Sequence, residues 1–186
     1  YDPTFSPDGR SVAVASEPTL SPMSRFSPRS RLTVVDLASG SRRDLTEQDG
    51  MEPAWSPHGQ RIAFWGLRGT SNRTGQRDLF TVPVQGGAPV AVTDDAAVDW
   101  APAWSADGRL LYFASDRGGT MNVWRVAIEE TSGRVLGKPE PVTVPALWAG
   151  WPSLSSSGLL AFAAQEERSV LHGIPFDPAR GEPSGD

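Results

Sequence analysis

The sequence predicts an all-β chain of four consecutive four-stranded antiparallel blades, the last one incomplete. Three observations predict it. The first is a recurring heptad: Pro3-Thr4-Phe5-Ser6-Pro7-Asp8-Gly9, Pro53-Ala54-Trp55-Ser56-Pro57-His58-Gly59, Pro102-Ala103-Trp104-Ser105-Ala106-Asp107-Gly108 and, worn down, Pro152-Ser153-Leu154-Ser155-Ser156-Ser157-Gly158. The second is its period. The glycines at 9, 59, 108 and 158 lie 50, 49 and 50 residues apart, the mark of a repeat array. The third is a set of short apolar runs inside each unit that do not alternate with polar residues, as expected of strands covered on both faces.

Each element follows from local chemistry. In the clearest unit, residues 52–55 are extended and Ser56-Pro57-His58-Gly59 is a turn, with proline early and glycine last. Residues 61–65 (R-I-A-F-W) are β-preferring and form the second strand. A polar loop over 66–77 leads to a third strand at 78–84, and Gln85-Gly86-Gly87 turns the chain into a fourth at 89–93. The other units repeat this order. Their second strands are 12–15, 110–114 and 159–163; their third strands are 32–36, 122–128 and 169–176; their fourth strands are 43–46 and 141–144. Pro83 and Pro175 remove ladder donors and mark strand ends or irregularities. The chain stops before a fourth strand in the last unit, so fifteen strands are expected. One four-stranded sheet cannot cover both of its own faces. Radial stacking of neighbouring sheets does, and that arrangement is a β-propeller. Blades are expected at about 1–51, 52–100, 101–150 and 151–186, as one continuous segment.

The pattern P-x-W-S-x-x-G, then I-A-F or L-Y-F, then Asp116-Arg117-Gly118-Gly119 and N-V-W-R-V resembles the TolB-type, WD-like β-propeller repeat over essentially all 186 residues. The resemblance implies a propeller that usually closes with six or more blades, which at this period needs roughly 290 residues. The expectation is therefore part of a larger ring, or an arc completed by a second copy through its open terminal blades. The resemblance also implies a periplasmic or extracytoplasmic setting, with a cytoplasmic one as the alternative. One fold hosts many roles, so function must come from the site. Three roles are compatible: a non-catalytic protein- or peptide-binding module, an accessory propeller gating a hydrolase of prolyl-oligopeptidase, tricorn or amidohydrolase type, and a sensor fused to a bacterial kinase or regulator. The first is the primary expectation.

Composition narrows the chemistry. The 186 residues carry 17 basic and 22 acidic side chains, for a net charge of −5, which gives no support to a nucleic-acid partner. There is no cysteine, so disulfides, thiolate metal sites and cysteine nucleophiles are excluded. No apolar run approaches the roughly 18 residues of a membrane span. The two histidines are His58 in a turn and His172 in a strand, and no G-x-S-x-G, H-E-x-x-H or phosphate-loop motif occurs. The neighbouring acids Asp94-Asp95, Glu129-Glu130 and Glu166-Glu167 lie in loops and do not converge on one bond; no calcium loop is present. No cofactor, no metal and no catalytic residue is expected.

Binding is expected where blades differ at an equivalent place. The motif aromatics Phe5, Trp55 and Trp104 recur in register with Leu154 and read as packing between sheets. The residues just before the motif proline vary instead. In a propeller the first strands line the central channel, so Asp2, Glu52, Asp99, Trp100, Trp148 and Trp151 are the candidate partner contacts at its mouth. Asp8, Asp107 and Asp116-Arg117 read as turn and loop anchors. The loops 17–31 and 66–77 are rich in arginine and read first as solvated loops, second as a rim for an acidic peptide, phosphate or headgroup.

Overall fold

The computed structural model describes residues 2–16, 30–46, 49–67, 77–143, 148–165 and 173–183. Every regular element among them is a strand. The first sheet orders β1 (Thr4–Phe5), β2 (Ser11–Ser16), β3 (Arg31–Asp36) and β4 (Arg42–Asp44) from axis to rim. The second does the same with β5 (Met51–Trp55), β6 (Arg61–Leu67), β7 (Arg77–Pro83) and β8 (Val90–Ala91). The third holds β9 (Asp99–Trp104), β10 (Leu110–Ser115) and β11 (Asn122–Glu129), whose outer edge pairs with both β12 (Arg134–Val135) and β13 (Glu140–Pro141). The fourth pairs β14 (Trp148–Leu154) with β15 (Leu160–Gln165), and a separate hairpin joins β16 (Phe176–Asp177) to β17 (Glu182–Pro183). All pairings are antiparallel. The chain is an arc of a β-propeller, with β1, β5, β9 and β14 side by side along the inner edge.

Three details differ from the sequence expectation. The outer strand of the third sheet is split in two. The stretch Gly137-Lys138-Pro139 interrupts it, and Pro139 has no N–H to offer a ladder. Leu136 still donates to the Ala127 carbonyl, and Val142 to that of Val123. The chain also forms a short strand after Gly181, where none was expected. Finally, the apolar second strand of the last unit is open. Leu159 and Phe162 are exposed, because among the described residues no further sheet lies on the outer side of the fourth.

The packing explains the non-alternating strands. Along β6, Ile62 and Phe64 pack with Ala13, Leu32, Val34 and Leu45 of the first sheet. Their neighbours Ala63 and Trp65 pack with Trp104, Leu111, Phe113, Val126 and Ile128 of the third. Successive side chains point to opposite faces, so both must be apolar when both faces are covered. A fully buried side chain such as Phe64 or Phe113 contributes about 1.5–3 kcal/mol by leaving water.

Polar repeats tie the blades together. Trp55 Nε1–H donates to the Thr4 carbonyl (3.1 Å) and Trp104 Nε1–H to the Ala54 carbonyl (3.2 Å), so each motif tryptophan docks on the backbone of the preceding blade. Phe5, which among the described residues docks on no other blade's backbone, is 66% exposed. Thr46, Thr93 and Thr143 each accept, through Oγ1, an N–H of their blade's third strand, from Leu32, Leu79 and Val123, extending the ladder past the end of the outer strand. In the turns, Ser6 donates to Asp8 and Ser105 to Asp107, both at 2.6 Å. Where His58 replaces that aspartate, Glu130 of the third sheet supplies the carboxylate. Glu130 accepts from the His58 backbone N–H and sits 2.5 Å from His58 Nδ1. Gly108 makes room for it, since a side chain there would strike the Glu130 carboxylate.

Candidate functional site

The inner strands share one irregularity, and it builds the candidate site. Opposite β6, β10 and β15, the registers of β5, β9 and β14 slip by one residue just before the motif proline. The residue at the bulge has φ of 49° in all four blades: Asp2, Glu52, Ala101 and Trp151. None is glycine, so each holds a left-handed conformation that costs on the order of 1–2 kcal/mol. Bulges of this kind re-aim side chains. A position that differs in every blade is thus one whose side chain the backbone turns aside.

At this end of the arc three indoles meet. Trp148 and Trp151 have ring centroids 4.9 Å apart, Trp100 lies 5.8 Å from Trp151, and Trp100 meets Trp148 edge-on at 6.4 Å. Trp100 Nε1–H points to the Met121 sulfur at 3.2 Å. Trp151 is 49% exposed and caps the cluster. On the other side of Trp100 the Arg77 guanidinium lies 5.4 Å from its ring centre and 4.6 Å from that of Trp65.

Glu52 joins this group to the backbone. Its Oε2 accepts from Trp65 Nε1–H and from the Ala101 N–H of the next blade's bulge, both at 2.8 Å. Burial pushes the Glu52 carboxyl above its ordinary value. The two hydrogen bonds oppose that, the nearby Asp2 carboxylate adds to it, and Arg77 draws it back. Asp99 is different in kind. Its carboxylate is fully buried and held by Arg117 NH2 at 3.0 and 2.9 Å, with burial raising its pKa against the bonds from Ser115 and Arg117. Arg117 also reaches Asp95 and lies over Phe113 and Trp124. Asp99 therefore braces the start of β9 from within the blade. Asp116 accepts from the Val98 N–H at 2.8 Å and holds the adjoining loop.

Of the six residues expected from sequence, Trp100, Trp148 and Trp151 come together. Glu52 reaches toward them through the Ala101 N–H beside Trp100, Asp2 is close enough to act on its charge, and Asp99 is buried. Trp65, Arg77 and Met121 belong to the same mouth; from sequence, Trp65 and Met121 have no role and Arg77 stands only in the arginine-rich loop 66–77. Trp65 read as an ordinary strand residue and Arg77 as the end of a loop; the only clue was register, since Trp65 pairs across from Met51 at the bulge. His172 and most of loops 17–31 and 66–77 lie outside the described residues. Arg31 bonds Asp44 at 3.2 Å on the surface.

Further along the inner strands lies an open groove of about 460 Å³, whose lining does not include Trp100, Trp148 or Trp151. The motif residues Pro53, Trp55, Pro102, Trp104, Pro152 and Leu154 are among those lining it. No group of three or more metal-ligating side chains occurs among the described residues, and no helix there is long and apolar enough to cross a membrane.

The TolB beta propeller domain model matches residues 2–171. An uncharacterized protein of Agrobacterium fabrum, Atu1656, is 26% identical over 158 residues, covering 84% of this chain and 48% of that protein. The Tol-Pal system protein TolB of Desulfosudis oleivorans is 32% identical over 113 residues, 61% of this chain and 24% of the relative. Among solved structures, a putative TolB from Agrobacterium tumefaciens superposes with a TM-score of 0.71 at 23% identity, covering 98% of this chain and 63% of that one. A puromycin-hydrolyzing peptidase of Mycobacterium tuberculosis gives 0.61 at 23% identity, with 98% and 30% covered. The chain spans about half the length, or less, of these curated relatives.

Proposed function

Taking as premise that this chain belongs to the TolB β-propeller domain family, we propose that it is a non-catalytic binding module that holds a protein or peptide at the channel mouth. The observation that carries this reading is the Trp100–Trp148–Trp151 cluster, drawn from two adjacent blades and capped by a half-exposed indole. Large aromatic anchors ringed by polar groups are what recognition surfaces use. Bulge strain repeated in every blade fits a surface whose side chains are displayed rather than packed. Trp100, Trp148, Trp151, Glu52 and Asp2 are the contacts in this reading, with Asp99 positioning β9 through Arg117. An extracytoplasmic setting, as implied by the resemblance to TolB, belongs to the same reading.

Trp151→Ala tests it. Peptides selected on the protein from a random displayed library should bind the variant at least about tenfold more weakly, with the thermal midpoint shifted by no more than a few degrees. A variant that binds as before, or one that unfolds, removes Trp151 from the binding surface.

A further inference from the structure

The mouth already seats a cation of its own. Arg77 lies within about 6 Å of two indole centres, Trp65 and Trp100, the range over which a guanidinium is attracted to an aromatic face. Trp151 continues the same cluster outward and is 49% exposed. Among the described residues no arginine or lysine lies over it.

The charges around Glu52 are unbalanced. Glu52 uses the single oxygen Oε2 for both of its hydrogen bonds, to Trp65 and to Ala101. Its other oxygen has no protein donor among the described residues. Asp2 is exposed and close enough to push Glu52 toward its neutral form. Glu52 thus has a carboxylate and a guanidinium as charged neighbours, and it is bonded to the residue that follows Trp100, whose ring meets the open indole of Trp151. A second cation would relieve the repulsion between the carboxylates and use the vacant face at once. A planar guanidinium suits this better than an ammonium, because it can stack on the ring while its edge donates to a carboxylate.

Resting on the reading of this mouth as a protein-binding site, we propose that the partner's anchor is an arginine, stacked on Trp151 and facing Glu52 and Asp2 as Arg77 is stacked between Trp65 and Trp100. The probes are three blocked pentapeptides, acetyl-Ala-Leu-X-Leu-Ala-amide, with arginine, citrulline or glutamate at X. Citrulline keeps the shape of arginine and removes its charge. Tryptophan fluorescence and calorimetry should show the arginine peptide binding at least about tenfold more tightly than the citrulline peptide, a gap of about 1.4 kcal/mol. That gap should shrink with added salt. Glu52→Gln, which retains an oxygen acceptor for Trp65 and Ala101, should close most of it; Asp2→Asn, at an exposed position, should close part of it without touching the fold.

Equal binding of the arginine and citrulline peptides overturns the proposal and leaves the binding mouth standing. Preference for the glutamate peptide also overturns it and assigns recognition to the arginine-rich loops 17–31 and 66–77. If no peptide, including any from a random displayed library, binds in a Trp151-dependent way, the reading of the mouth itself falls and the proposal with it.

Discussion

Strands β6 and β15 hold the same place in their blades, and their cores, Ile62-Ala63-Phe64-Trp65 and Leu160-Ala161-Phe162-Ala163, are of the same kind. Their surroundings are not the same. Phe64 is wholly buried while Phe162 is 42% exposed. The second sheet stands between two others, so both faces of β6 are covered. The fourth sheet meets the third chiefly through β14 and leaves most of β15 open. An apolar run therefore reports what a strand is suited to pack against. What packs there is a property of the array.

The largest effect that separates the two strands is a cavity. Phe64→Ala should destabilise the protein by about 3–5 kcal/mol in urea denaturation. Phe162→Ala should cost well under about 1 kcal/mol. If the two losses are equal, the outer face of the fourth sheet is covered in solution. Light scattering on the native protein would then show the self-association that open terminal blades invite.

A smaller contrast concerns the motif aromatics. Trp104→Phe keeps most of the ring and removes the N–H that bonds the Ala54 carbonyl. It should cost about 1 kcal/mol, while Phe5→Leu, at a side chain 66% exposed, should change the unfolding midpoint hardly at all. Equal costs would mean that Phe5 is docked on another blade.

The smallest effect lies at the turn where Glu130 stands in for an aspartate. Burial pushes its carboxyl up, but bonds from Ser56 and from the His58 ring and backbone outweigh this and leave its pKa below the ordinary 4.5. A carboxyl lowered in the folded state contributes stability above its unfolded pKa and loses it as pH falls through the folded one. Glu130→Gln should therefore be less stable than the parent by under about 1 kcal/mol at pH 7. The difference should fade below about pH 4.5. A difference that persists at lower pH would assign the loss to packing against Gly108.

Much of the site was legible in single residues. Trp100, Trp148 and Trp151 stand out because they fall in the stretch before the motif proline, where the blades differ. Trp65 and Arg77 did not, because their link to that cluster runs between blades. Asp99 shows the converse: its place pointed to the mouth, and only the packed blade reveals Arg117 holding it below the surface.

The four-blade architecture, the turns and the two-faced strands follow from the order of residues, because each is set by local conformational preference and by a period near fifty. Which apolar faces are closed, which carboxylates are buried, and which indoles and cations meet at the mouth depend on contacts between units that far apart along the chain. Local propensity carries no term for those contacts, so they exist only once the blades have stacked.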